Sequence, residues 1–98
     1  MKTFTVQQIQ DNLKDIDKAW TIDGKWLKRG FEFADFKEAF SFMTGVALVA
    51  EKADHHPDWD NSYKKVNIAL TTHEADGLTE KDFKLAAQID KIAKYTGK

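Results

Sequence analysis

The chain has 98 residues, with 15 Lys+Arg against 16 Asp+Glu and a formal charge of −1. That length fits one domain, residues 1–98, and the near-zero charge argues against nucleic acid held on a basic surface. With no Cys, a disulfide scaffold, a Cys-ligated zinc, a Cys nucleophile and a thiol redox centre are all excluded.

Thr5 and Gln8 have capping-box spacing, with Phe4 and Ile9 at the staple positions. Val6, Ile9, Leu13 and Ile16 recur at helical intervals, predicting a first helix that ends near Asp17. A hairpin follows. Trp20-Thr21-Ile22 runs into Asp23-Gly24, a preferred tight-turn pair, and Lys25 to Phe33 returns. Phe31 and Phe33 alternate with Glu32, so one face is core and the other wet.

A second helix is predicted from Asp35 to about Lys52 or Ala53, with Asp35 and Glu38 in capping-box register. Phe36, Phe40, Met43, Ala47 and Ala50 form one stripe. Ala39, Phe42, Val46 and Val49 widen it, which predicts a central helix. After Pro57, the only proline, Tyr63 to Thr72 alternates as a strand, with Val66, Ile68 and Leu70 on one face. Trp59 belongs to a short partner strand turned at Asp60-Asn61-Ser62. Thr79 caps a last helix with Asp82 at its third position, Leu78 and Phe83 at the staple, and Leu85, Ile89 and Ile92 along its stripe.

Short hairpins imply antiparallel strands, and the wide helical stripes must be buried on a sheet. The predicted fold is α+β: a two-layer sandwich in which an antiparallel four-stranded sheet carries helices on one face. The other face is left for solvent, a ligand or another subunit. Met1-Lys2-Thr3-Phe4 opens no signal-peptide pattern and no apolar run approaches the ~20 residues of a membrane span, so a cytoplasmic location is expected.

The three histidines, His55, His56 and His73, lie within one stretch that also holds Asp54, Asp58, Asp60, Glu74 and Asp76. Histidine titrates nearest neutrality and suits proton transfer at physiological pH. His56 precedes Pro57 and is biased toward extended backbone, where neighbours point opposite ways, so His55 and His56 should play different roles. His73 falls at a strand end, a natural pocket wall. A polar loop that merely contains two His is the plain alternative. Asp82 is equally explained as a helix cap, Glu51 as a solvated residue, and the three Trp as core or interface. A metal site is not expected, since adjacent His rarely converge on one ion and no His-x-x-x-His pair exists. No Gly-rich phosphate cradle and no Gly-x-Ser-x-Gly elbow are present.

The stretch EKADHHPDWDNSYKKVNIALTTHEADGLTEKD, Glu51 to Asp82, closely resembles the pterin-4a-carbinolamine dehydratase family. The family pattern is a polar or acidic residue, then His-His-Pro, an aromatic, a third His and an Asp. Here these are Glu51, His55-His56-Pro57, Tyr63, His73 and Asp82. The segment FEFADFKEAFSFMTGVALVAEKADHHP is similar to the family's central helix, and the likeness spans about Trp20 to Tyr95.

The resemblance implies dehydration of a 4a-hydroxytetrahydropterin to quinonoid dihydropterin and water, in support of tetrahydrobiopterin recycling, without metal or redox cofactor. It implies a catalytic set of His55, His56 and His73. His55 and His73 would be the acid/base groups and His56 would mainly bind substrate. Pro57, Thr72, Glu74 and Ala75 would line the pterin site beside the three histidines, and Glu51, Asp54 and Asp82 would support the imidazoles. It also implies a homodimer or homotetramer, and a hydroxylase or transcription-factor partner in some members. Neither direct nucleic-acid binding nor membrane engagement is expected. The alternatives that keep the same fold are a non-catalytic dimerisation or coactivator module and a pterin-binding regulator.

Overall fold

The computed structural model describes residues 2–97. The elements are α1 (Val6–Leu13), β1 (Thr21–Asp23), β2 (Trp26–Glu32), α2 (Phe36–Ala53), β3 (Asp58–Ser62), β4 (Lys65–Leu70), a 3-10 turn (His73–Ala75) and α3 (Glu80–Tyr95). The strands form one antiparallel sheet in the order β1-β2-β4-β3. The predicted architecture is therefore the observed one.

Register assigns the two faces. Leu27 pairs with Leu70, Arg29 with Ile68, and Phe31 with Val66. Strand side chains alternate, so these residues share the face on which the core is built. Leu27, Phe31, Val66, Ile68 and Leu70 are buried there under α2 and α3, together with Phe42, Val46, Leu85 and Ile89. Lys28, Gly30, Asp58, Asp60 and Asn67 occupy the opposite, open face. Arg29 is the exception on the core side. Its guanidinium lies over the Phe31 ring at 4.2 Å and donates to Asp90 at 2.7 Å, and Asp90 also accepts the Trp20 indole N–H at 2.7 Å.

Several boundaries differ from the sequence reading, each for a local reason. Helix α1 stops at Leu13, because Lys14, Asp15 and Ile16 each donate three residues back and tighten the exit. Val6 does not join its apolar stripe and is exposed, whereas Ile9 and Leu13 pack on the core. In the first hairpin Asp23 still pairs with Trp26, so the turn is Gly24-Lys25, with Gly24 at φ 59°. In the second, Asp60, Asn61 and Ser62 are strand rather than turn. Ser62 pairs with Lys65, and Tyr63, at φ 52°, turns with Lys64. The Asn61 amide holds that turn by donating to the carbonyls of Tyr63 and Lys65.

Helix α2 starts at its predicted cap, where the Asp35 carboxylate accepts the Glu38 N–H at 2.9 Å. The reciprocal bond is displaced by one residue: Glu38 accepts from Ala34, not from Asp35. The buried side of α2 is Ala39, Phe42, Val46 and Ala50. The helix is not buried all round, because Phe36, Phe40 and Leu48 are 49%, 56% and 69% exposed. Its apolar circumference is two stripes, one on the sheet and one facing outward.

Candidate active site

The exit of α2 delivers the first histidine. Asp54 adopts φ 52°, ψ 42°, and its N–H and that of His55 turn back onto the carbonyls of Glu51 and Ala50 at 3.1 Å. A left-handed L-residue costs ~1–2 kcal/mol, and Asp is among the few that visit this region routinely. The reversal sends His55 inward, where it is 7% exposed, to meet the start of α3.

There His55 Nε2 lies 2.6 Å from Oδ1 of Asp82. Asp82 is wholly buried at the third position of α3. Its Oδ2 accepts the Thr79 N–H at 2.9 Å, closing the predicted capping box, and the Thr72 hydroxyl at 2.9 Å. Thr72 follows β4, and its own hydroxyl lies 2.8 Å from that of Thr79. A two-way backbone pairing of Thr72 with Gly77 closes the loop between them.

His73 begins that loop. Its Nε2 is 3.7 Å from Oδ2 of Asp58, the first residue of β3, and its ring stands edge-on to Trp26 at 5.9 Å. At 3.7 Å the contact is an ion-pair distance and not a hydrogen bond. His56 makes the third pair, with Nε2 2.8 Å from Oε1 of Glu51 on the last turns of α2.

Each imidazole thus has its own carboxylate: His55 with Asp82, His56 with Glu51, and His73 with Asp58. The environments differ. The first pair is buried, and the imidazoles of the other two are mostly exposed. His55 and His73 are joined through Asp82 and Thr72, by two hydrogen bonds and one peptide link. Among the described residues no three His, Asp or Glu side chains cluster as a metal site requires.

Two residues stand elsewhere than the resemblance implies. Asp54 makes no hydrogen bond to an imidazole. It shapes the site through its left-handed backbone. Thr72 has no exposed surface to offer a ligand, and its hydroxyl is committed to Asp82 and Thr79. Glu74 is exposed on the 3-10 turn, with Ala75 half-buried beside it, and Pro57 is half-buried between the His56 and Asp58 contacts. Asp58 as the partner of His73 was not recognised from sequence. The signal was the pairing of β3 with β4, which sets Asp58 opposite Ala69 near the end of the strand that His73 follows.

His55 lines a cleft of about 420 Å³ with Ala53, Lys81, Lys84, Leu85 and Gln88. Lys84 also binds Glu80 at 2.7 Å, and this hydrogen bond and charge hold the Glu80 carboxyl below its ordinary range. On the other side of the sheet, Asp58 opens onto a hollow of about 510 Å³ floored by Lys28, Gly30, Asp60 and Asn67.

The sequence pattern described as "Pterin 4 alpha carbinolamine dehydratase" matches residues 2–92. The chain belongs to this family. A relative from Christiangramia forsetii, whose name assigns it to the pterin-4-alpha-carbinolamine dehydratases, is 47% identical over 98% of both chains. One of the same name from Prochlorococcus marinus is 52% identical over 84% of this chain and 86% of its own. Among solved structures, a transcriptional coactivator/pterin dehydratase from Brucella melitensis superposes with a TM-score of 0.89. It is 41% identical and covers 94% of this chain and 99% of its own. A pterin dehydratase-like protein identified as a RuBisCO assembly factor in the alpha-carboxysome gives a TM-score of 0.67 at 26% identity. It covers 76% of this chain and 89% of its own. Among the motif residues, Glu51, His55, His56, His73 and Asp82 all belong to imidazole–carboxylate pairs, and Tyr63 is the left-handed turn of the β3–β4 hairpin.

Proposed function

We propose that this chain, acting as one domain across residues 1–98, dehydrates 4a-hydroxytetrahydrobiopterin to quinonoid dihydropterin and water, and so supports tetrahydrobiopterin recycling in the cytoplasm. The observation that carries the proposal is the linkage of one fixed, buried imidazole to one exposed imidazole through Asp82 and Thr72. The reaction needs two proton transfers. One imidazole protonates the 4a-hydroxyl, the C4a–O bond breaks, and water leaves. The other imidazole takes the N5 proton as the C4a–N5 double bond forms. His55 and His73 are these two groups, and each transfer is worth ~100- to 10,000-fold. His56, steadied by Glu51, binds the pterin with Pro57, Glu74 and Ala75. Neither transfer calls on a metal or a redox cofactor. In the deciding experiment phenylalanine hydroxylase generates the carbinolamine and its decay is followed with and without this protein, corrected for the spontaneous reaction. Acceleration supports the proposal, and an unchanged rate refutes it.

One observation favours a second reading, a coactivator or assembly module. The outward stripe of α2, Phe36, Phe40 and Leu48, is left about half to two-thirds exposed by the described chain. The turnover assay separates the readings, since a pure adaptor leaves the carbinolamine decay untouched.

A further inference from the structure

We propose that Thr72 and Thr79 are positioning residues which, through Asp82, fix His55 as its Nε2–H tautomer and leave Nδ1 as the nitrogen that exchanges protons. The role in turnover rests on the dehydratase reading. The tautomer does not.

The direction of every bond in the network follows from its donors. The Thr79 N–H can only donate, so Asp82 Oδ2 accepts it at 2.9 Å. The Thr72 hydroxyl donates to the same oxygen at 2.9 Å. Its single proton is then spent, so across the 2.8 Å contact the Thr79 hydroxyl donates to Thr72. The Thr79 oxygen in turn accepts the Lys81 N–H at 3.3 Å. Each bond therefore points toward the carboxylate. Such a carboxylate is an acceptor, and its remaining oxygen, Oδ1, faces His55 Nε2 at 2.6 Å. Nε2 carries the proton, and in the neutral ring the lone pair lies on Nδ1.

Nδ1 is also the reachable nitrogen. It has no hydrogen-bond partner among the described residues, the ring's bond being made through Nε2. Among the described residues, Arg29 Nε is the buried side-chain nitrogen or oxygen atom left without one. His55 Nδ1 is therefore not sealed in, and the ring lines the cleft beside Lys81 and Lys84.

The threonines decide the outcome of one substitution. In Asp82→Asn, Thr72 and the Thr79 N–H still demand an acceptor, so the amide oxygen turns to them and the amide NH₂ faces His55. Nε2 must then accept, and the imidazole proton moves to Nδ1. A histidine held in the wrong tautomer loses activity by ~10⁴-fold in the comparable Ser-His-Asp arrangement.

Heteronuclear NMR of the isotope-labelled, unliganded protein at mildly alkaline pH reads the tautomer directly. The expected result is Nε2–H in the parent protein and Nδ1–H in Asp82→Asn. Thr72→Val keeps the volume and removes the hydroxyl. It should speed solvent exchange of the His55 Nε2 proton and lower kcat about 10-fold at unchanged KM, in the range that loss of an outer hydrogen-bond partner costs. Thr72→Ser, which keeps the hydroxyl, should restore both. An Nδ1–H tautomer in the parent protein overturns the proposal, as does a Thr72→Val protein with unchanged proton exchange. Should the carbinolamine assay show no turnover while the NMR results hold, the dehydratase reading fails and the tautomer assignment stands.

Discussion

Asp58 Oδ2 and His73 Nε2 stand 3.7 Å apart although no local sequence pattern joins them. Strand register brings them together. Asp58 opens β3 opposite Ala69 of β4, and His73 follows β4 where the chain turns under Trp26. Asp58→Asn keeps the shape and removes the charge. Because the pair is exposed and screened, kcat for carbinolamine dehydration should fall by up to ~10-fold. A kcat equal to the parent's would detach Asp58 from the chemistry.

Replacement of His55 or of His73 by Ala should each lower kcat by ~100- to 10,000-fold with little change in KM. The double replacement should cost less than the product of the two, because groups that act as one unit are not additive. Steady-state kinetics corrected for the spontaneous reaction tests this. Full kcat in His73→Ala would return that residue to a merely exposed strand-end histidine.

His56→Ala should mainly raise KM, since His56 is held by Glu51 outside the buried network. Glu51→Gln should act in the same direction and more weakly, because both side chains are exposed and screened. A kcat defect in His56→Ala equal to that of His55→Ala would reassign the acid/base pair.

Phe42→Ala should destabilise the fold by ~3–5 kcal/mol. The ring is fully buried and lies 4.7 Å from Phe31 and 4.8 Å from Phe33, tying α2 to the sheet. That loss is a large share of the ~5–15 kcal/mol of a typical domain. Chemical denaturation measures it, and a midpoint within error of the parent would show that the core closes over the gap.

Analytical ultracentrifugation at micromolar concentration should show a dimer or larger. Phe36 and Phe40 rings touch at 5.7 Å and, with Leu48, leave an apolar stripe in water. Phe40→Asp should weaken the association by placing a charge in that stripe. A clean monomer for the parent chain would refute self-association.

The fold was legible because caps and alternation are local signals. Thr5, Asp35 and Thr79 all start helices where the sequence places them. The hairpin turns were not, because register decided them: Asp23 is drawn into one more strand pair, and Asp60, Asn61 and Ser62 into three, than turn propensity suggests. For α2, composition reported that both sides are apolar and said nothing of which side meets the sheet. At the site, spacing identified the histidines and the cap Asp82. Spacing was silent on Asp58, which pairs with His73 across strands; the resemblance named Asp54 and Thr72, but not the left-handed backbone of the first or the burial of the second, which depends on α3 arriving beside it.

The edge-on contact of Trp26 with His73 gives the site an optical reporter. A protonated imidazole quenches indole emission more strongly than a neutral one. Trp20 is buried on Asp90, and Trp59 points to the core side of β3, so Trp26 is the indole in contact with a histidine ring. Emission followed against pH, with Trp26→Phe as the blank, would therefore trace the charge on His73 in the resting protein. A pterin settling against the same ring would be seen as a change in light before any water is released.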